Sequence, residues 1–170
     1  MKRRHFLQAL GGLPLALGCG SPRPSTRYDM LKIPDERTAR TWIIKAFKKE
    51  GYAVELDRSV KVAKDAALIV DVATKGDVWG VAWLRADEEQ ALKGVLPPVP
   101  AGVADGALWV HRGLDDDADQ RFLILLEKHY DYDPDPRGEG GVVRSIEEVE
   151  ARCIRDVTDY LVRAKAGQIE

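Results

Sequence analysis

The chain has 170 residues, 45% of them hydrophobic and 32% charged, with a formal net charge of −2 at pH 7. That length suits one domain with a core of its own. Setting aside Lys2, Arg3 and Arg4 takes the 26 basic residues to 23 against 28 acidic ones, a net charge of −5. An acidic balance of this kind is poorly suited to neutralising phosphates, so no nucleic-acid partner is expected. It also offers no polybasic attraction to anionic lipid.

Residues 1–19 read Met-Lys-Arg-Arg-His-Phe-Leu-Gln-Ala-Leu-Gly-Gly-Leu-Pro-Leu-Ala-Leu-Gly-Cys. A positive start, a modest apolar stretch and a small residue before the break make a secretory leader. The stretch from Phe6 to Gly18 is too short, and too rich in Gly and Pro, to span a membrane. Arg3-Arg4-His5-Phe6-Leu7 resembles the twin-arginine export motif, in which the paired arginines are read together with the Phe-Leu that follows one spacer. Leu15-Ala16-Leu17-Gly18-Cys19 resembles a bacterial lipobox, where signal peptidase II cuts before a lipidated cysteine. Lys2, Gln8 and Ala16 depart from the residues most often found at their positions.

These resemblances imply a cleaved signal peptide over residues 1–18, an export signal in Arg3, Arg4, Phe6 and Leu7, and lipidation at Cys19. The membrane partner is then reached through acyl chains such as palmitate, and two or more chains anchor stably at about 0.8 kcal/mol per buried methylene. Gly20 stands where an inner-membrane retention signal has Asp, which implies the outer membrane, with the domain on its periplasmic face. Residues 19–33 form the lipidated cysteine and tether, flexible from Gly20 to Thr26, and residues 34–170 the globular domain. With Cys19 lipidated, Cys153 has no partner for an intramolecular disulfide.

A helix is expected from Asp35 or Glu36 to Glu50, with Ala39, Trp42, Ile43, Ala46 and Phe47 as one apolar stripe and Gly51 at its end. Tyr52 to Leu56 reads as a short strand. Ala66–Thr74 and Trp79–Leu84 are apolar runs flanking a turn with Gly76 and Asp77, the signature of a central hairpin. Both runs are apolar at nearly every position, so both faces of the sheet should be covered. Asp87 to Lys93 reads as a short helix, and Leu96 to Gly102, with three prolines, as a stiff crossover. Leu108–Arg112 and Arg121–Tyr130 form a second strand pair across the acidic run Asp115–Asp119, expected to be a solvated tip. A Pro- and Gly-rich loop covers Asp131 to Gly141. Ser145-Ile146-Glu147-Glu148 is a capping box opening a helix of about five turns. Ile146, Val149, Cys153, Val157, Tyr160 and Ala164 share one of its faces. The fold class expected is α+β, a single domain with a mainly antiparallel sheet of about five strands packed by an N-terminal and a C-terminal helix.

Asp71 lies in an otherwise apolar strand, where a carboxylate calls for explanation. The order helix, strand, hairpin resembles the core of PD-(D/E)xK nucleases, whose facing strand supplies Glu-x-Lys. Here that strand reads Val81-Ala82-Trp83-Leu84, so both partners are missing and a structural Asp71 is expected. Asp131, Asp133 and Asp135 match the first ligand positions of a calcium loop, but Pro136 replaces its turn glycine and Val142 its bidentate Glu. His111 and His129 fall on the two paired strands with no third zinc ligand in register. No catalytic residue and no cofactor are assigned. The function expected is a non-catalytic binding or structural accessory of the cell envelope. The alternatives are an enzyme of unrecognised type and a calcium-dependent interaction module.

Overall fold

The computed structural model describes residues 31–134 and 144–169. The apolar stripe of the first helix, α1 (Glu36–Lys49), is buried at all five positions. Asp35 caps it by accepting the Thr38 N–H at 2.7 Å. Glu36 in its first turn and Lys48 and Lys49 in its last complement the helix dipole, and Gly51 leaves it with φ of 85°.

Five strands follow: β1 (Val54–Ala63), β2 (Ala66–Thr74), β3 (Trp79–Leu84), β4 (Val110–Arg112) and β5 (Arg121–Leu126). The expected hairpin is β2–β3, residue for residue. β1 runs well past Leu56, because Val60 and Val62 carry the buried alternation beyond the charged pair Asp57-Arg58. The sheet order is β1-β2-β3-β5-β4. Three of the neighbouring pairs are antiparallel, and β3 with β5 is parallel. The chain leaves β3 through the short helix α2 (Ala86–Ala91) and the proline connector. It lays down β4 at the edge and returns β5 between β3 and β4.

The last helix, α3 (Ile146–Lys165), opens with the capping box in place: Ser145 Oγ accepts the Glu148 N–H and Glu148 accepts the Ser145 N–H. Val149, Cys153, Val157, Tyr160 and Ala164 are buried, but Ile146, at the first helical turn, is exposed. α1 and α3 pack together over Val72, Val81, Trp83, Leu123 and Leu125 on one face of the sheet. Tyr160, fully buried, donates its hydroxyl to the Arg121 carbonyl at 2.8 Å and fixes α3 to the start of β5.

The other face carries a second core of Val60, Val70, Ala82, Leu84, Trp109, Phe122, Ile124 and Leu126, against which Leu92, Val95, Leu96 and Val103 of the crossover pack. The sheet curls around this core until the edge of β1 meets the turn that follows β4. The Leu114 N–H donates to the Lys61 carbonyl at 2.8 Å, and the Asp117 carboxylate accepts the Lys61 N–H at 2.8 Å. The acidic run is therefore more than a solvated tip, since it closes the edge of β1 against free pairing. Gly113 permits the closure, because a Cβ there would lie 2.1 Å from the Asp117 carbonyl oxygen. At the other end of the domain, Lys32 and Tyr132 exchange both backbone hydrogen bonds, so the chain is joined to the domain from Lys32 onward.

Candidate functional site

Two places stand out as candidate sites. The first is Asp71, where β2 passes under α1. It is 5% exposed. One carboxylate oxygen accepts the Trp83 N–H at 2.7 Å, and the other meets Arg40 Nη2 at 3.0 Å. Arg40 projects from α1, and the same nitrogen lies 2.9 Å from Glu36 and 2.8 Å from Asp57. Asp57 stands opposite Asp71 at an interruption of the β1–β2 ladder, with φ of 56°, a conformation Asp tolerates better than most residues. Three carboxylates thus converge on one guanidinium.

Burial raises the Asp71 pKa above the usual carboxylate range, with the Trp83 N–H and Arg40 offsetting part of that. Burial opposes the Arg40 charge, yet the hydrogen bond and the charges of Asp71, Asp57 and Glu36 outweigh it and raise the Arg40 pKa. The facing strand places Val81, Ala82, Trp83 and Leu84 in the two cores, all buried. The arrangement is a joint between α1 and the sheet, in which the buried Asp71 carboxylate is paired with a guanidinium. Among the described residues, no group of three or more His, Cys, Asp or Glu side chains is arranged to hold a metal ion.

The second place is a cleft of about 970 Å³ between α2, the connector and the open end of the curled sheet. That volume falls at the upper end of the roughly 300–1,000 Å³ typical of small-molecule sites. Leu84, Leu92, Val95, Leu96, Val99 and Trp109 supply apolar walls. Trp109 and His111 stand two residues apart at the edge strand, so their side chains share a sheet face. Both line the cleft. Trp109 is 4% exposed and its indole Nε1 is buried without a hydrogen-bond partner among the described residues, as is His111 Nε2. His111 packs edge-on against Phe122, with ring centroids 5.5 Å apart, and burial lowers its pKa. Lys128, at the rim, is taken up by Glu89 at 2.5 Å. Lys93 has no carboxylate within ion-pair distance among the described residues.

The remaining candidates lie apart from both places. His129 sits in a short 3-10 turn, Glu127–His129, that follows β5 instead of extending it. It therefore does not face His111 across a strand pair, and it lines a void of only about 10 Å³. Its pKa is lowered by burial and by Lys128 and Arg152. Asp133 is buried, and its N–H donates to the Arg144 carbonyl at 2.9 Å; Asp131 is half-buried. Asp135, the third position of the calcium-loop pattern, lies outside the described residues, as do Arg3, Arg4, Phe6, Leu7 and Cys19. Cys153 is a buried free thiol whose pKa burial pushes far up.

The sequence also concealed a buried group on α3. Arg152 reaches the His129 carbonyl at 2.9 Å and the Ala104 carbonyl, and lies over the Tyr130 ring at 5.3 Å. Asp156 accepts from the Tyr130 hydroxyl at 3.0 Å. This network staples the crossover and the end of β5 to the helix. An arginine at helical spacing gives no advance sign of burial, although its i,i+4 relation to Asp156 was open to view. No protein-family model, curated protein or solved structure matches the chain.

Proposed function

We propose that the chain is a binding accessory of the bacterial cell envelope, held at the outer membrane by lipid on Cys19 and working through the cleft beneath α2. The cleft carries the binding half of this reading: a volume of about 970 Å³ with apolar walls. The leader and its lipobox-like end support the envelope half. The carboxylates nearest to a catalytic arrangement, Glu36, Asp57 and Asp71, are all engaged by Arg40, which fits a structural role for them.

A neutral apolar dye tests the binding half. Nile red should bind the Cys19→Ser protein saturably at one site. Ala86→Trp, at a cleft-lining position exposed on α2, should weaken it strongly without changing the unfolding midpoint. Equal dye binding by both proteins would remove the cleft as the working surface. For the envelope half, a clickable palmitate analogue should label the wild type and not Cys19→Ser. Export should fail when Arg3 and Arg4 are both replaced by Lys, which keeps the charge but not the guanidinium geometry.

A further inference from the structure

We propose that the cleft beneath α2 takes the chain's own acyl group. With the domain in water, a lipid chain carried on Cys19 lies along the apolar walls, and it leaves them on entering the bilayer. This inference rests on the cleft's being the binding surface and on lipidation at Cys19. It adds what fills the cleft before the membrane is reached.

The walls suit an alkyl chain. Leu84, Leu96 and Trp109 are buried, Leu92 and Val95 half-buried, and Pro97, Pro98 and Val99 exposed, so the apolar lining runs from the core out to the surface. Such a surface holds a flexible methylene chain by area alone and asks no polar partner of it.

The place where the chain joins the domain supplies the occupant. Lys32 exchanges both backbone hydrogen bonds with Tyr132. Tyr132 comes soon after Lys128, which lines the cleft, and the stretch between them allows a separation of at most about 15 Å. The turn that holds Lys128 is fixed to α2 at two points. Glu127 accepts the Ala86 N–H at 2.7 Å, and Lys128 meets Glu89 at 2.5 Å. The chain therefore joins the domain beside the cleft. From Cys19 to Lys32 it measures about 45 Å at full extension, so an acyl group on Cys19 reaches the cleft with length to spare.

A tether that spans the gap makes docking intramolecular, with an effective concentration of about 1 mM. An alkyl chain that binds with a dissociation constant of about 0.1 mM then leaves a competing probe about tenfold weaker. A free lipid has no such advantage. The bilayer reverses the balance, because it takes up every acyl chain together, and the cleft is then open to its ligand.

Alkylation of the full-length chain tests this without a membrane. N-dodecylmaleimide and N-ethylmaleimide each add to the Cys19 thiol, while Cys153 is buried. The dodecyl protein should bind Nile red about tenfold more weakly than the ethyl protein, by the same factor at every protein concentration. Its Trp109 indole N–H signal should be displaced relative to the ethyl protein, and Ala86→Trp, which fills the cleft, should remove that displacement. Equal Nile red binding by the two alkylated proteins overturns self-occupancy and leaves the cleft standing as a binding site. A weakening that grows with protein concentration means that the chain comes from a second molecule, and it overturns the inference too. If the ethyl protein does not bind Nile red at all, the cleft reading falls together with this one. The palmitate label tests lipidation at Cys19 separately, and a wild type that stays unlabelled removes the occupant.

Discussion

Arg40 Nη2 stands 3.0 Å from Asp71 Oδ1, and this contact decides what the one carboxylate in the central strands is for. A lone buried Asp would invite a catalytic role. Held between the Trp83 N–H and a guanidinium shared with Glu36 and Asp57, it is a joint that locks α1 to the sheet.

The two partners of that joint should respond unequally to substitution. Arg40→Met leaves Asp71 buried without its counter-charge, and breaking a buried pair from one side costs about 3–5 kcal/mol. The Arg40 side chain is 23% exposed, so the lower end, about 3 kcal/mol, is expected. Asp71→Asn keeps an acceptor for the Trp83 N–H and removes the burial cost of a charge, so about 1 kcal/mol or less is expected. Urea unfolding of both variants checks the ranking, and the double variant should recover part of the Arg40→Met loss.

Close approach at glycine gives a second test. A Cβ at Gly80 would lie 2.4 Å from Val70 Cγ1 across the hairpin. Gly80→Ala should therefore cost about 1–3 kcal/mol through overpacking. Gly113→Ala should cost more, since the obstruction is the Asp117 backbone and not a side chain that can turn away. Its loss should be accompanied by faster hydrogen exchange at the Lys61 and Leu114 amides, the two bonds that close the sheet.

Acid should weaken the fold in the range set by the histidines. His111 and His129 both have pKa values below the ordinary 6.5. The unfolded chain therefore takes up protons first as pH falls. The stability tied to the neutral rings is present above about pH 6.5 and is lost as pH drops through the folded-state values. Unfolding midpoints between pH 7.5 and 5.5 should fall for the parent protein. They should fall less for His111→Gln combined with His129→Gln.

Cys153 is buried and its thiol is held protonated. In the Cys19→Ser protein, Ellman's reagent should leave it unmodified under native conditions and titrate one thiol in denaturant. Rapid native labelling would contradict the packing assigned to α3.

Much of the fold could be read in the residues because period and punctuation agree there. The stripe Ala39, Trp42, Ile43, Ala46, Phe47 is closed by Asp35 and Gly51, the hairpin strands begin and end as their apolar runs do, and Ser145 with Glu148 marks the last helix. What could not be read depends on sequence-distant partners. The parallel pairing of β3 with β5 places Trp79 beside Arg121 through a crossover whose return path leaves no local signal. The closure of Lys61 by Asp117 and Leu114 lies hidden in a run that looks like a solvated tip. His129 falls on the expected strand because apolar residues run from Phe122 to Leu126 without a break, and only the turn after Leu126 removes it. The cleft was illegible for the same reason. Trp109 reads as an ordinary core or sheet residue and Leu96 as the start of the stiff crossover, and no periodicity shows that the space between them is left open.

The four tryptophan indole N–H signals offer the most direct measurement of the central claim, that binding occurs in the cleft. In 15N–1H spectra of the Cys19→Ser protein, with Trp109 assigned by Trp109→Phe, 1-octanol should shift the Trp109 signal progressively and saturably. Trp42, Trp79 and Trp83 belong to the core packed by α1 and α3 on the opposite face, so their signals should stay in place. A titration that moves all four together, or moves the other three and leaves Trp109 where it was, would contradict the account.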